Sequence, residues 1–356
     1  MMKVAAAATS LSLVAAAPYT PPTYTTPSNL THPGLDILAK RAGLLYFGTA
    51  IDNVVLNNTA YVSIAHNVSE FGQATPSNGQ KWMYIEPQQN VFNYSMADAI
   101  MKPAKEAGQM RRCHTFAWHS QLPDWVNNGN WTKETLTAVL ENHIKNEAQY
   151  FKDDCYAWDV VNEAFEDDGS LRNSIWLQVM GPEYIELAFK WARQYTGNGT
   201  RLYYNDYGIE RVNNKSLAVA EMAKDFIARD IPIDGVGLQA HFTVGRAPTY
   251  DEVSAALTLF DDLKLETALT ELDVRILLPD SPEKQELQAE VYTNATKACV
   301  DVAECVGVTV WDFWDPVSWV PESFPGYGNA CLLDDDLQRK PAYYAIEKML
   351  DEVAKK

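Results

Sequence analysis

Residues 158–163 have the sequence Trp158-Asp159-Val160-Val161-Asn162-Glu163, which predicts a buried β-strand that ends abruptly on an amide and a carboxylate. A second stretch of the same character, residues 267–273, ends with Glu271, Leu272 and Asp273. In a barrel of parallel strands, the carboxyl ends of the strands form the active-site face. Two carboxylates at one such face are the groups that glycoside hydrolysis requires.

Strand and helix patterns alternate from residue 34 to the end of the chain. The predicted buried strands cover residues 44–50, 71–75, 112–117, 157–162, 201–205, 235–240, 266–271 and 307–313. Helix-start signals such as Thr132, Thr249 and Pro282 predict helices over residues 96–108, 133–151, 250–263, 282–303 and 341–353. Eight strands, each followed by a helix, predict an α/β fold, a (β/α)8 TIM barrel that forms a single catalytic domain over residues 34–356.

Two doubly wound domains would show the same alternation of strands and helices. However, no glycine-rich phosphate loop follows the first predicted strand, and no linker lies near the middle of the chain. The chain has 356 residues, of which 47% are hydrophobic, and this is enough to bury one large core. A net charge of −18 disfavours nucleic acid and anionic membranes as partners and suits either a neutral ligand or simply solubility in an acidic medium. A monomer is the default expectation.

The first 33 residues are expected to lie outside the domain. Residues 1–17 have the pattern of a secretory signal peptide, with Lys3, an apolar run and small residues before Pro18. An unstructured alanine-rich start is the alternative. Residues 18–33 are rich in Pro and Thr and predict an extended lead-in. Sequons for N-glycosylation support a secreted glycoprotein and occur at Asn29, Asn57, Asn67, Asn93, Asn130, Asn198, Asn214 and Asn294.

The chain has five cysteines, which in an oxidising compartment are expected to pair. Cys299 and Cys305 are close in sequence and flank a predicted helix-to-strand turn, so they form the favoured disulfide. Cys113 and Cys155 lie at the starts of consecutive predicted strands, so they are expected to form a second disulfide. Cys331 is then a buried free thiol. No cysteine and histidine cluster has zinc-ligand spacing, and no metal site is predicted.

Polar and aromatic residues recur where the predicted strands end. They are Asn78, Lys81, His114, Trp118, Gln121, Asn162, Glu163, Tyr207, Gln239, His241, Glu271, Asp273, Trp311 and Trp319. Amides and carboxylates bind hydroxyl groups, and the flat faces of tryptophan stack on the apolar faces of pyranose rings. The pattern therefore predicts a carbohydrate-binding cleft. A purely structural role is the alternative for His114 and His241.

Five motifs together resemble the signatures of glycoside hydrolase family 10. They are residues 158–165, residues 270–273, residues 114–123, residues 237–241, and Trp311 with Trp319. The resemblance extends from about Gly34 to the last helix, with the motifs in the family's order. It implies a secreted endo-1,4-β-xylanase, a retaining enzyme on a (β/α)8 barrel that uses no cofactor and acts on xylan or xylo-oligosaccharides.

The resemblance also implies a role for each matching residue. Glu163 corresponds to the general acid/base and Glu271 to the nucleophile. Asn162 corresponds to the residue that hydrogen-bonds the 2-hydroxyl group at the cleavage point, and His241 to the bridge between Glu271 and Asp273. The other cleft residues correspond to supports of the acid/base (Trp118, Gln239), to the glycone sites (Asn78, Lys81, His114, Gln121) and to the aromatic walls (Trp311, Trp319).

Several residues depart from the family pattern. Ser77 stands where many members have Glu, Asp312 where Gly is usual, and Trp314 is expected to add bulk between the aromatic walls. Ser77 and Trp314 keep open a saponin-deglycosylating (tomatine-type) enzyme or a β-glucan hydrolase on the same barrel. An inactive xylan-binding protein is a third possibility, which the presence of both carboxylates disfavours.

Residues outside these motifs are assigned structural roles. Of the remaining histidines, His32, His66 and His143 are expected to face solvent. Glu86, followed by Pro87, is interpreted as a loop anchor. Four tryptophans are expected to pack in the core rather than to bind sugar, namely Trp125, Trp131, Trp176 and Trp191.

Overall fold

A computed structural model describes residues 33–355 of the chain. The predicted signal peptide, residues 1–17, and nearly all of the predicted lead-in, residues 18–33, lie outside the described residues, as do His32 and the sequon at Asn29. Among the described residues, no helix combines the length and the apolar character that a membrane span requires.

The described chain contains ten strands. They are β1 (Tyr46–Ile51), β2 (Gln73–Pro76), β3 (Met110–Ala117), β4 (Ala157–Asn162), β5 (Arg201–Asp206), β6 (Gly235–Leu238), β7 (His241–Thr243), β8 (Glu266–Leu277), β9 (Cys305–Val310) and β10 (Tyr327–Gly328). Eight of them pair in parallel in the closed order β1-β2-β3-β4-β5-β6-β8-β9, with β9 returning to β1. This confirms the predicted (β/α)8 barrel.

Helices surround this barrel. They are α1 (Leu35–Arg41), α2 (Thr59–Ala65), α3 (Trp82–Ile85), α4 (Ser95–Ala107), α5 (Asp124–Asn127), α6 (Lys133–Tyr150), α7 (Ile175–Met180), α8 (Glu183–Thr196), α9 (Asn214–Ala228), α10 (Tyr250–Asp261), α11 (Pro282–Asp301), α12 (Val320–Ser323) and α13 (Pro341–Ala354). Thr132 and Thr249 cap α6 and α10 by accepting hydrogen bonds from backbone N–H groups of the first turn. These caps confirm the predicted helix starts.

The strand boundaries differ from the predicted ones by a few residues. The second and eighth barrel strands were predicted at 71–75 and 307–313, whereas they run over 73–76 and 305–310. β8 continues six residues beyond the predicted end at Glu271, as far as Leu277. The extension has partners of its own, because β7 pairs in parallel with residues 273–275 and β10 pairs antiparallel with residues 276–277.

The cysteine pairing follows the prediction. Cys113 in β3 is bonded to Cys155 just before β4, and Cys299 at the end of α11 is bonded to Cys305 at the start of β9. Cys331 is the buried free thiol among the described residues. The first disulfide joins two neighbouring barrel strands, and the second fixes a helix-to-strand turn.

One prediction about the histidines is wrong. His143 does not face solvent but is fully buried on the inner face of α6. Its Nδ1 lies 3.0 Å from a carboxylate oxygen of Glu86, and its ring stacks on Trp82 with centroids 3.6 Å apart. A histidine at this position is tolerated in the core because Glu86 hydrogen-bonds its Nδ1 and the carboxylate of Glu147 lies 3.3 Å from its Nε2. His66 is half-buried.

The assignments of Glu86 and the four tryptophans hold. Glu86 is buried, and its Oε1 accepts a hydrogen bond of 2.8 Å from the backbone N–H of Asn90, which is the behaviour of a loop anchor. Trp176 and Trp191 are buried, and Trp125 and Trp131 pack against the same core.

Candidate active site

The carboxyl ends of the barrel strands surround an open cleft of about 1060 Å³. Most of the predicted site residues line it, namely Asn78, Lys81, His114, Trp118, Gln121, Asn162, Glu163, Tyr207, Gln239, His241, Glu271, Trp311 and Trp319. Asp273 lies directly behind this lining and is completely buried. The strand-end pattern in the sequence thus corresponds to one continuous surface.

Glu163 and Glu271 face the same cleft and are connected through side-chain amides. Gln239 Nε2 donates to Glu163 Oε1 at 3.0 Å, and Asn205 Nδ2 donates to Glu271 Oε1 at 2.8 Å. The side-chain amide of Asn162 lies between these two amides, with one of its atoms 3.3 Å from Gln239 Nε2 and 2.9 Å from Asn205 Nδ2. The two carboxyl groups are therefore held at opposite ends of one short hydrogen-bonded chain.

Glu163 follows the last residue of β4 and has a left-handed backbone, with φ of 58°. This conformation is unfavourable for a residue with a side chain. The peptide group between Glu163 and Ala164 is fixed at both ends: Arg172 Nε donates to its carbonyl oxygen at 2.8 Å, and its N–H donates to the Tyr204 hydroxyl at 3.0 Å. These contacts turn the Glu163 side chain out of the strand and into the cleft.

On the other side of the cleft, His241 lies between Glu271 and Asp273. Its Nε2 is 3.2 Å from Glu271 Oε2, and its Nδ1 is 2.9 Å from Asp273 Oδ2. Burial lowers the pKa of His241, but the two carboxylates outweigh burial and raise it to about 10. Burial raises the pKa of Glu271, but hydrogen bonds and positive charge from His241, together with His114 and Asn205, bring it to about 2.

The wall after β2 is a hydrogen-bonded set of polar side chains. Lys81 Nζ donates to Asn78 Oδ1 at 3.0 Å, and Asn78 Nδ2 donates to Asp52 at 2.9 Å. Burial lowers the pKa of Lys81 to about 8, against the opposing effect of Glu271 and Glu163. Ser77 also lines the cleft and donates to the same Asp52 oxygen at 2.9 Å, so at this position a hydroxyl group belongs to the network.

The remaining predicted residues occupy distinct positions around the cleft. Gln121 Nε2 is 3.4 Å from Asn78 Oδ1. His114 is buried, with its Nδ1 2.9 Å from Asp159 Oδ2, and its ring meets Trp311 edge-on at 5.5 Å between centroids. His114 is thus a buried ring that also reaches the cleft surface.

Two of the aromatic residues are held by their polar atoms. Trp319 Nε1 donates to Asp273 Oδ2 at 2.7 Å, which anchors the indole beside His241. The hydroxyl group of Tyr207 accepts from Arg172 Nη2 at 2.8 Å, and Lys215 Nζ lies 3.7 Å from the centroid of its ring.

Trp314 does not occupy the position expected from the sequence. It is absent from the cleft lining, its Nε1 donates to the carbonyl oxygen of Asp335 at 3.3 Å, and its ring packs at 6.0 Å from that of Tyr61. It therefore adds no bulk between the aromatic walls. Asp312 lines the cleft but is buried, and the hydroxyl group of Tyr61 donates to it at 2.5 Å. Burial raises the pKa of Asp312 to about 7.

Three functional contacts were not predicted from the sequence. Asn205 connects Asn162 to Glu271, Arg172 fixes the backbone of Glu163, and His119 Nδ1 lies 3.7 Å from Glu163 Oε2. Burial chiefly lowers the pKa of His119. Asn205 could have been found from its place at a strand end, and His119 from its position beside Trp118. Arg172 belongs to the irregular segment after β4 and carries no comparable signal.

The barrel, the paired carboxylates at its carboxyl face and the amide- and tryptophan-lined cleft together define a glycoside hydrolase. Among residues 33–355, no group of three or more His, Cys, Asp or Glu side chains is arranged to hold a metal ion. Residues 34–349 match the model of glycosyl hydrolase family 10, and the chain belongs to that family.

Similar proteins of known name cover nearly the whole chain. Endo-1,4-beta-xylanase A of Humicola insolens is 45% identical over 89% of this chain and 86% of its own length. Endo-1,4-beta-xylanase A of Phanerodontia chrysosporium is 43% identical over 96% of this chain and 85% of its own. The structure of Penicillium canescens endo-1,4-beta-xylanase XylE superposes with a TM-score of 0.87, is 41% identical and covers 90% of this chain and 98% of that one.

A second solved structure holds a sugar. The family 10 xylanase from Bispora sp. MEY-1, solved with xylobiose, superposes with a TM-score of 0.86 at 40% identity and covers 89% of this chain and 99% of that one.

Proposed function

We propose that this protein is an endo-1,4-β-xylanase that hydrolyses internal β-1,4-xylosidic bonds with retention of configuration. The observation that carries the proposal is the pair Glu163 and Glu271, held by a common chain of amides in one open cleft. Family membership and the names of the similar proteins support xylan or xylo-oligosaccharides as the substrate. An open cleft, as opposed to a closed pocket, suits attack within a polymer.

In the first step, a Glu271 oxygen attacks the anomeric carbon as the bond to the leaving oxygen breaks, and the Glu163 proton is transferred to that oxygen. The nucleophile must be ionised, which the low pKa of Glu271 ensures because His241 and Asn205 stabilise its carboxylate. The product is a glycosyl ester on Glu271 and a free sugar hydroxyl group on the departing chain.

In the second step, water attacks the anomeric carbon of the ester, its proton passes to Glu163, and Glu271 leaves as a carboxylate. Esterification removes the charge that His241 had balanced, and the imidazolium then stabilises the returning carboxylate. Asp273, hydrogen-bonded to Nδ1 of His241, keeps the ring in position through both steps. Inversion occurs at each step, so the overall configuration is retained.

The other cleft residues bind the sugars. We expect Asn162 to hydrogen-bond the 2-hydroxyl group at the cleavage point, and its position between Gln239 and Asn205, in the chain that joins the carboxyl groups, supports this role. Asn78, Lys81, His114 and Gln121 form the glycone side, Trp118 and Gln239 support the acid/base, and Trp311, Trp319 and Tyr207 supply aromatic surface.

We expect the preference for pentose to be mainly steric. Xylose lacks the hydroxymethyl group of glucose, and Gln121 and Trp319 are the residues proposed to occupy the space of that group. A bulky contact excludes a larger sugar more effectively than a missing contact rejects a smaller one. Comparison of xylohexaose with cellohexaose tests this preference, which Q121A and W319A should weaken.

The catalytic assignment is tested on linear xylohexaose. E271A and E163A should each lower kcat by at least about a thousandfold, as the loss of a nucleophile or an acid/base does in hydrolases. With an aryl xylobioside whose phenolate leaves without a proton, azide should restore activity to both variants, giving a glycosyl azide of inverted configuration with E271A and of retained configuration with E163A. Full activity in either variant would contradict the assignment.

A second candidate activity has little support in the cleft. The saponin-deglycosylating or β-glucan-cleaving alternative depended on Ser77 and Trp314. Trp314 lies outside the cleft lining, and Ser77 completes the hydrogen-bond network of Asp52 and Asn78. The relative turnover of linear xylan and of a steroidal glycoalkaloid separates the two activities.

The proposed enzyme is secreted. Two disulfides suit an oxidising compartment, and the asparagines of six sequons are exposed, namely Asn57, Asn67, Asn93, Asn130, Asn198 and Asn214. Mass spectrometry of protein from the medium of an expressing eukaryotic cell tests this, since it would find the mature N-terminus near residue 18 and sugar on those asparagines.

A further inference from the structure

Four Lys or Arg residues of the described chain, residues 33–355, line the cleft, and three of them lie together. Lys81 follows β2, whereas Arg211 follows β5, Arg246 follows β7 and Arg275 lies on β8. In the eight-stranded barrel β6 is four strands away from β2 and therefore lies opposite it. β5 and β8 flank β6 and β7 follows it, so the three arginines belong to the wall opposite Lys81. A local positive cluster is unexpected in a chain of net charge −18.

The backbone brings the three arginines together. Thr243 of β7 is in register with Arg275 of β8, and the N–H of Val244 donates to the Arg275 carbonyl oxygen at 3.0 Å. The turn closes when the N–H of Arg246 donates to the Thr243 carbonyl oxygen, also at 3.0 Å. Arg211 reaches the same turn, because its Nη2 donates to the Arg246 carbonyl oxygen at 3.1 Å.

Two of the three guanidinium groups have no carboxylate partner within residues 33–355. Arg211 pairs with Glu252 at 3.1 Å, but no carboxylate oxygen of the described chain lies within 4.0 Å of Arg246 or Arg275. Glu322 also lines the cleft, yet it forms no ion pair with either of them. Arg246 is exposed, and Arg275 is half-buried.

The Arg275 guanidinium is nonetheless held in place. Its central carbon lies 3.9 Å from the centroid of the Phe324 ring and 5.8 Å from that of Tyr327. Contact with a ring face orients the planar group and leaves N–H donors along its edge, for which residues 33–355 provide no acceptor. An arginine that is oriented but unpaired at the edge of a binding cleft is suited to an anionic group of the ligand.

The unsubstituted xylan backbone is neutral and offers no such group. We propose that Arg246 and Arg275, with Arg211 beside them, bind the carboxylate of a uronic acid branch on the xylan chain. The inference rests on the function proposed above and adds a preference for acidic branches. A guanidinium group matches a carboxylate with two parallel hydrogen bonds, and the three arginines lie on the wall opposite Lys81, away from the residues proposed to form the glycone side.

The test compares two arginine variants on three oligosaccharides. The substrates are linear xylohexaose, the same chain with one glucuronic acid branch, and that branched chain with its carboxyl group methyl-esterified. For the wild type we expect esterification to lower kcat/KM by roughly threefold to tenfold, the range for partly exposed charged hydrogen bonds. In R246Q and R275Q the effect of esterification should largely disappear, while cleavage of linear xylohexaose stays within about twofold.

R229Q provides the matched control. Arg229 follows α9 and pairs with Asp225 and Glu186 at the end of the barrel away from the cleft. R229Q therefore changes the net charge by the same amount as R246Q or R275Q but should leave the effect of esterification intact. R246Q alters an exposed turn and therefore remains informative even if R275Q fails to fold. Salt should weaken the preference for the free acid in the wild type.

The outcomes separate the two proposals. If the wild type cleaves linear xylohexaose but shows no effect of esterification, or if both variants retain the full effect, the uronic acid site is wrong and the xylanase function stands. If the wild type does not cleave linear xylohexaose at all, the proposed function is wrong, and the branch site is rejected with it.

Discussion

The Arg172 guanidinium donates a hydrogen bond of 2.8 Å from Nε to the backbone carbonyl oxygen of Glu163. Its Nη2 donates to the carbonyl oxygen of Phe165 at 3.2 Å and to the Tyr207 hydroxyl at 2.8 Å. A left-handed backbone costs about 1–3 kcal/mol, and a hydrogen bond from a charged group contributes about 1.5–3 kcal/mol. The two terms are of the same order, so Arg172 can offset the strain at Glu163.

Replacement of Arg172 should therefore act on catalysis through position. We expect R172Q to lower kcat on xylohexaose by roughly tenfold to a hundredfold with a small change in KM, because the carboxyl group of Glu163 moves relative to the leaving oxygen. R172K should restore little of this loss, since a lysine keeps the charge but not the fork of donors. Steady-state kinetics measures both parameters.

A control for R172Q is K190Q, which removes an exposed cation that pairs with Glu186 on α8. Its kcat should equal that of the wild type. If R172Q lowered only the midpoint of thermal unfolding and left kcat unchanged at a temperature where it is folded, Arg172 would be a structural residue without a positioning role.

The positive charge of His241, which lies between Glu271 and Asp273, should control the acidic limb of the pH profile of kcat/KM. H241N keeps a polar side chain near both carboxylates but removes the imidazolium. Glu271 must be ionised to attack, and its pKa of about 2 reflects in part the neighbouring positive charge. Without it we expect the pKa of Glu271 to rise by about 1–2 units and the acidic limb of kcat/KM to move to higher pH by the same amount.

The sign follows from protonation alone. A raised pKa leaves more Glu271 protonated at low pH, so H241N should lose activity at a pH where the wild type is still active. The pH dependence of kcat/KM, limited to the range in which circular dichroism shows an intact fold, measures the shift. An acidic limb that stays in place would mean that His241 does not set the ionisation of Glu271.

The two disulfides should contribute unequally to stability. Cys113–Cys155 closes a loop with a sequence separation of 42 residues, and Cys299–Cys305 one of 6. By the chain-entropy estimate, loss of the first costs about 4 kcal/mol and loss of the second about 2 kcal/mol. Denaturant unfolding of the double variants C113A/C155A and C299A/C305A measures the difference. Equal losses would show that the length of the closed loop does not decide the contribution.

The sequence was informative where a local pattern implies a place in the barrel. Asn162 and Glu163 end an apolar run, and so do Glu271 and Asp273, and carboxyl ends of parallel strands converge on one face. The alternation of strands and helices therefore predicted both the fold and the candidate catalytic pair. The pairing of Cys113 with Cys155 followed from the same reasoning, because consecutive strands of a barrel are neighbours.

The sequence was uninformative where a role depends on contacts between distant segments. Arg172 and His143 resemble ordinary polar residues of a loop and a helix, and only the folded chain places them beside Glu163 and Glu86. The prediction for Trp314 was wrong in the opposite direction, because its nearness to Trp311 in sequence suggested a place in the cleft that it does not occupy. Just after β9 the chain turns, and Trp314 packs toward Tyr61 instead.

The buried carboxylate of Glu147 should make stability depend on pH. Glu147 is fully buried on α6, with Oε2 3.3 Å from Nε2 of His143, whose Nδ1 faces Glu86. Burial chiefly raises the pKa of Glu147 to about 7 from 4.5. Burial lowers the pKa of His143, but Glu147 and Glu86 outweigh it and raise that pKa overall.

A group whose pKa is raised by folding stabilises the fold fully below its unfolded pKa, and this contribution is lost as pH rises through the folded pKa. The contribution of Glu147 is therefore present below about pH 4.5 and lost as pH approaches 7. In E147Q the side-chain amide stays neutral throughout. Between pH 4.5 and 7 the free energy of unfolding of E147Q should therefore fall less than that of the wild type, and the two falls should differ by about 3 kcal/mol at most. Calorimetry at a series of pH values measures the difference.

E141Q on the same helix removes the same charge at a half-buried position and serves as the control. Asp206 and Asp312, whose pKa values burial also raises to about 7, remain in all three proteins, so their contributions cancel when variants are compared with the wild type. If E147Q retained the wild-type slope between pH 4.5 and 7, Glu147 would be ionised in the folded protein across that range. In that case a positively charged His143, which lies between Glu147 and Glu86, would have to compensate for the burial of the Glu147 carboxylate.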